Sequence, residues 1–89
     1  MVNNQKILLK FIQTNDNVNW DDISYFYKLL KNFIREYQNK FYWPIISKYQ
    51  TLSEDFIREF KDEVIWFYIS KYYELSEDFK KEFKHKLND

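Results

Sequence analysis

Few residues of this chain could do chemistry. His85 is the only histidine and cysteine is absent, so the sequence offers neither a Cys–His pair nor the usual ligands of a zinc site. Glu54-Asp55 and Glu77-Asp78 are adjacent carboxylates, the residue type that serves in acid–base catalysis. Each pair directly follows a serine, where carboxylates complement the positive end of a helix dipole. We therefore predict a non-enzymatic protein without metal or cofactor.

The elements that carry these residues repeat along the chain. Trp20, Trp43 and Trp66 are spaced by 23 residues both times, and six further positions recur with them. Counted from each Trp, these are Ile at +3, Ser at +4, an aromatic at +6, Leu at +9, Phe at +13 and Phe or Tyr at +17. Matches at this many positions in three ungapped copies indicate a repeat, and such a period determines the fold.

Each unit is predicted to hold two short helices. Pro44 directly follows Trp43, and because proline fits the first turn of a helix, the first helix should begin near the Trp. The second should begin at Ser53 and at Ser76, since serine is a favoured N-cap residue. With a further helix near residues 3–14, the sequence predicts about six or seven helices.

The first unit departs from this pattern at Leu30, which stands where the capping serine would be. Two alternatives follow: the chain breaks there as in the other units, or one helix runs on from Trp20 through Lys40. In either case each unit is too small to form a hydrophobic core by itself and must pack against its neighbours. The predicted fold class is all-α, with 23-residue helical-pair repeats stacked into a small solenoid-like bundle.

The ends of the stack also leave a signal in the sequence. Position +14 reads Ile34, Ile57 and then Lys80, as expected if the last unit has no neighbour to bury this residue. We predict a single domain over residues 1–89 with four parts. They are an N-terminal capping helix at 1–16, repeat 1 at 17–39, repeat 2 at 40–62, and repeat 3 with a C-terminal cap at 63–89.

The composition limits the classes of partner that we expect. Fourteen basic and fourteen acidic residues cancel, which argues against nucleic acid, whose phosphates attract a basic surface. Aromatic stacking on a nucleic acid beside Lys48 and Lys71 is the weaker alternative. No apolar run approaches the ~20 residues that cross a bilayer. The N-terminal stretch lacks the small-residue cleavage site of a signal peptide, so we do not expect one. We expect a cytoplasmic protein that does not bind membranes.

The aromatic residues, 22% of the chain, divide into two groups. Those at the repeat positions, including +6, are predicted to form the core. Positions that differ between repeats are expected at the surface, where tyrosine favours interfaces through its large area and polar tip. The candidate partner-binding residues are Tyr25, Tyr42, Phe67 and Tyr68, together with Lys48 and Lys71.

The repeat itself resembles a known family. Its pattern is W-x-x-I-S-x4-L-S-E-x-F-[IK], carried here by Trp43, Ile46, Ser47, Leu52, Ser53, Glu54, Phe56 and Ile57 and by the positions 23 residues later. This pattern is similar to that of the tryptophan-repeat proteins of insect poxviruses and other large AT-rich viruses, over roughly residues 17 to 87. The resemblance implies a viral or phage origin, and it implies no particular activity.

These observations favour a non-enzymatic protein–protein interaction module that binds a host or viral protein through its non-repeating surface aromatics. One alternative is a small viral or phage inhibitor of host defence, comparable to anti-CRISPR proteins, that acts by steric occlusion. A second alternative is a structural repeat protein that assembles with itself. The expected oligomeric state is a monomer or a weak homodimer.

Overall fold

The computed structural model describes residues 4–87, with side chains from residue 6 onward. This part of the chain forms eight α-helices: α1 Asn4–Thr14, α2 Trp20–Phe26, α3 Lys31–Glu36, α4 Trp43–Tyr49, α5 Glu54–Glu59, α6 Trp66–Tyr72, α7 Glu77–Glu82 and α8 Lys84–Leu87. The predicted all-α fold of repeated helix pairs is confirmed. Helix α8 was not predicted as a separate element. The predicted segment 1–16 contains α1, and its first three residues lie outside the described range, as do residues 88 and 89.

Polar side chains start the helices where the sequence indicated. Ser53 and Ser76 are the N-caps of α5 and α7, and each hydroxyl accepts a hydrogen bond from the backbone N–H three residues on. Pro44 lies in the first turn of α4. Asn19, which the sequence analysis did not single out, caps α2 in the same way through its side-chain oxygen. These bonds satisfy backbone donors that a helix start leaves unpaired.

The chain breaks before Leu30, so the alternative of one helix from Trp20 through Lys40 is wrong. Helix α2 ends at Phe26, and Leu30 is an extended N-cap residue without a side-chain cap bond. The reason lies in the linker rather than in the cap. Leu29 is buried, and its N–H donates to the side-chain oxygen of Gln50 in the next unit at 2.8 Å. An extended linker allows both contacts, and α3 begins without a side-chain cap.

The first helices of the units form one row. Helix α2 packs against α4, α4 against α6, and α6 against α8, which also contacts α7. Helix α8 therefore continues the row after the third unit and covers its C-terminal end. The resulting body is elongated, measuring 44 × 27 × 18 Å. This row brings equivalent positions of successive units next to one another.

The core consists largely of the repeated positions. The buried isoleucines and phenylalanines at +3, +13 and +14 are Ile23, Ile46, Ile69, Phe33, Phe56, Phe79, Ile34 and Ile57. Trp43 is buried, whereas Trp20 and Trp66 are only partly covered. Lys80, the third residue at +14, is exposed as predicted. The change from Ile to Lys thus coincides with the end of the stacked units.

Ion pairs join the second helices of neighbouring units at matching positions. Arg35 at +15 binds both carboxylate oxygens of Glu59 at +16 of the next unit, each at 2.7 Å. Arg58 repeats the contact with Glu82 at 2.8 Å. Each guanidinium also lies over the +13 phenylalanine of the following unit, 5.7 and 5.2 Å from the ring centroid. The same two repeat positions are therefore in polar contact at both junctions.

A third contact between units involves a cap residue itself. The carboxylate of Glu54 accepts hydrogen bonds from the backbone N–H of Ser76 at 2.7 Å and from its hydroxyl at 2.8 Å. The backbone bond, followed by the hydroxyl bond, lowers the pKa of Glu54. The hydrogen bond from Arg35 likewise lowers the pKa of Glu59. Both carboxylates are stabilised in their charged form by residues of an adjacent unit.

Ile57→Ala tests whether position +14 holds the units together. We expect this variant to lose about 2–5 kcal/mol of unfolding free energy, because the side chain is fully buried between units. Lys80→Ala is the matched control at the same repeat position, and an exposed substitution should change stability by no more than about 0.5 kcal/mol. Urea denaturation measures both. Equal losses in the two variants would contradict the assignment of Lys80 as the end of the stack.

Acid should weaken the junctions between units. The folded-state pKa values of Glu54 and Glu59 lie below their ordinary values, so their stabilising effect is present above about pH 4.5 and is lost as pH falls through the folded pKa. We expect the urea concentration at the unfolding midpoint to decrease as the pH is lowered below 4.5. This decrease should be less steep in Glu54→Gln. Asp62→Asn, in an exposed turn, is the control. A Glu54→Gln profile parallel to the wild type would contradict this contribution.

Candidate interaction surface

The aromatic residues at +6 are exposed, so the prediction that they belong to the core is wrong. Phe26, Tyr49 and Tyr72 are 72%, 45% and 50% exposed. Helix geometry gives the reason, since successive residues lie about 100° apart around the axis. Positions 0, +3 and +4 cluster on one side, and +6 falls about 110° from their centre. This helical-wheel test was available from the sequence alone.

The exposed rings contact residues of the preceding unit. Tyr25, at +5 of the first unit, has its ring centroid 4.5 Å from that of Tyr49, at +6 of the second. Lys48, at +5 of the second unit, lies with its Nζ 5.9 Å from the ring centroid of Tyr72, at +6 of the third. At both junctions, position +5 therefore packs on the +6 ring that follows. The contact is aromatic at the first junction and cationic at the second.

Three tyrosine rings surround the ammonium of Lys48. Its Nζ lies 5.3 Å from the ring centroid of Tyr49, 5.7 Å from that of Tyr68 and 5.9 Å from that of Tyr72. These are cation–π distances, since the electron-rich ring face attracts a cation within about 6 Å. The phenol groups of Tyr49 and then Tyr72 raise the pKa of Lys48. Lys48 is an exposed cation, and the three rings lie around its ammonium on the protein surface.

Lys71 extends the same surface at the third unit. Its Nζ is 5.5 Å from the ring centroids of both Phe67 and Tyr72, and the Phe67 ring contacts that of Tyr68. We define the aromatic–lysine face as the connected set Tyr25, Phe26, Tyr49, Phe67, Tyr68 and Tyr72 with Lys48 and Lys71. All of its members are exposed except Tyr68, which is partly buried. The face runs along helices α2, α4 and α6.

The structure brings five of the six predicted site residues into this face. They are Tyr25, Phe67, Tyr68, Lys48 and Lys71. Tyr42 is 58% exposed and is the N-cap residue of α4. Within the described part of the chain, no ring or cation contact joins Tyr42 to the face. Phe26, Tyr49 and Tyr72 were not among the predicted site residues, because every repeated aromatic was assigned to the core.

A hollow of about 370 Å³ lies beside Lys48. Tyr49 and Tyr72 line it together with Glu74 and residues of the linkers that follow α4 and α6. The hollow therefore combines ring surface, one ammonium and one carboxylate. It offers a place for a side chain of another molecule beside the face.

The residues considered above for catalysis either form contacts within the fold or are exposed. Glu54 accepts bonds from Ser76, and Asp55 pairs with Arg58 at 2.7 Å. His85 is exposed on α8. Among the described residues, no group of three or more His, Cys, Asp or Glu side chains could hold a metal ion. No helix within residues 4–87 combines the length and the apolarity needed to cross a bilayer.

Comparison with protein-family models, with curated proteins and with solved structures finds no match to this chain. The resemblance to tryptophan-repeat proteins thus rests on the residues of the repeat alone. A proposal for the function is therefore based on the geometry of the aromatic–lysine face.

Tyr49→Ala tests whether the +6 ring belongs to the surface. Because this ring is 45% exposed, we expect a loss of at most about 1 kcal/mol of unfolding free energy. Phe56→Ala removes a fully buried ring of similar size and should cost about 3–5 kcal/mol. Urea denaturation followed by circular dichroism measures both variants. Comparable losses of unfolding free energy in the two variants would contradict the assignment of position +6 to the surface.

Proposed function

We propose that this protein is a non-enzymatic interaction module that binds another protein through the aromatic–lysine face. The observation that carries the proposal is the continuity of exposed rings across three units. Phe26 contacts Tyr25, Tyr25 contacts Tyr49, and Lys48 links Tyr49 to Tyr68 and Tyr72. Contiguous exposed apolar surface of this kind marks interaction sites, whereas scattered apolar residues do not.

The composition of the face supports a protein partner. Tyrosine offers a large, rigid contact area with a polar tip and is enriched among residues that dominate binding energy. Four of the six rings of the face are tyrosines. The rings also rest on one another or on a lysine, so little side-chain freedom is left to lose when a partner binds.

Other parts of the proposal rest on the sequence. A viral or phage origin follows from the resemblance of the repeat to tryptophan-repeat proteins. The expected cytoplasmic location and the absence of catalysis follow from composition and motifs. Steric occlusion belongs to the alternative of a small viral or phage inhibitor of host defence, which would use the same face.

Site-specific photo-crosslinking tests the proposed face. A photoreactive phenylalanine replaces Tyr72 in one variant and Tyr42 in another, and each is irradiated in the cells that produce the protein. Both positions hold exposed tyrosines, but only Tyr72 belongs to the face. We expect a defined cross-linked protein from position 72 and none from position 42, because a partner seated on the face covers Tyr72 alone. Gel shift and mass spectrometry identify the product.

The double variant Tyr49→Ser/Tyr25→Ser also carries the photoreactive residue at position 72. It removes two rings of the face and leaves the cross-linking position unchanged. We expect this variant to lose most of the cross-linked product while keeping its helical circular dichroism spectrum. A product obtained equally from both positions, or only from position 42, would overturn the proposal. Persistence of the product in the double variant would do the same.

A further inference from the structure

We infer that the partner segment seated on the aromatic–lysine face is acidic and places carboxylates against Lys48 and Lys71. This inference rests on the proposed function and names the chemistry of the partner. Its basis is the placement of these two lysines over rings of the face. Within residues 4–87, both arginines are paired with carboxylates and neither lysine of the face is.

The contrast between these cations is regular. Arg35 pairs with Glu59 and Arg58 pairs with Glu82, at 2.7 and 2.8 Å. Within residues 4–87, no carboxylate lies at ion-pair distance from Lys48 or Lys71. Their charges are directed at rings, which attract a cation without neutralising it. The positive charge of the face is therefore available to a partner.

The two ammoniums are also close to each other. They lie 5.9 and 5.5 Å from the centroid of the one ring of Tyr72, so the two nitrogens are no more than 11.4 Å apart. Two like charges within this distance raise the local positive potential. An extended chain spans about 11 Å in three residues, and a helix does so in two turns. Two acids at either spacing on a partner would reach both lysines.

The rings hold Lys48 in place before binding. A free lysine side chain loses rotamer freedom when it forms an ion pair, and this cost cancels much of the attraction at a surface. Three tyrosine rings already restrict the Lys48 ammonium. An incoming carboxylate therefore meets a pre-ordered cation beside a hollow of about 370 Å³. Glu74, which also lines this hollow, opposes an acid and should limit its affinity.

An acidic protein segment fits the face better than a nucleic acid does. A stacking platform for single strands combines its rings with a basic groove that follows many phosphates. This face carries two lysines, and the chain has a formal net charge of zero. Two localised cations among tyrosines match two carboxylates and their flanking apolar side chains. Phosphate binding is the rival outcome of the test.

Selection from a displayed library of random 12-residue peptides tests the inference on the full chain. Peptides that bind the wild-type protein and lose binding to Tyr49→Ser/Tyr72→Ser report on the face. We expect these peptides to be enriched in Asp and Glu relative to the unselected library. Synthesised individually, they should bind Lys48→Gln/Lys71→Gln about ten-fold more weakly. They should bind Glu74→Gln about two-fold more tightly. Fluorescence anisotropy measures these affinities.

Lys61→Gln/Lys84→Gln is the matched control, because it removes the same total charge from exposed lysines outside the face. Its affinity for the peptides should equal that of the wild type within about two-fold. Face-dependent peptides without acidic enrichment, or with equal affinity for both lysine double variants, would overturn the inference and leave the proposed function standing. A library that yields no face-dependent peptide would count against both. Tighter, salt-sensitive binding of a labelled oligothymidylate would replace the acidic segment with a nucleic acid.

Discussion

The side-chain amide of Gln50 supplies the hydrogen bonds on which the first junction depends. Its nitrogen donates to the carbonyls of Ser24 and Tyr27, both at 2.7 Å, and its oxygen accepts from the N–H of Leu29. These groups lie at the end of α2 and in the linker, where no helix pairs them, and buried backbone groups need partners. The helix pairs have six or seven residues per helix, too few to be stable alone. Each unit therefore completes the one before it.

The same position performs this role at the second junction with a different residue. Tyr73 is the +7 equivalent of Gln50, and its hydroxyl donates to the carbonyl of Gln50. Partial burial of the phenol raises the pKa of Tyr73. A phenol is protonated at neutral pH even without this shift, so the hydroxyl is able to donate. Position +7 thus needs a polar group that reaches the preceding linker, and either an amide or a phenol serves. Tyr27, in the first unit, has no preceding unit to reach and is exposed.

The repeat made most of the fold predictable, and its failures have physical causes. The helix pairs, the serine caps and the exposed Lys80 follow from residues that recur or change at one position. The break at Leu30 could not be read from the cap, because it depends on Gln50, which lies 20 residues later in the chain. The exposed +6 rings were missed because recurrence was equated with burial. Tyr49 and Tyr72 contact the +5 residue of the preceding unit, whereas Phe26 contacts Tyr25 of its own unit.

Two sets of contacts therefore connect the same units with opposite consequences for binding. On the second helices, arginine and glutamate neutralise each other and leave little for a partner to gain. On the first helices, position +5 changes from Tyr25 to Lys48 to Lys71, while the +6 ring is kept. The face consequently carries no lysine in the first unit and one lysine in each of the second and third units. For the acidic segment inferred above, this distribution places apolar side chains on Tyr25 and Phe26 and carboxylates near Tyr72, beside Lys48 and Lys71.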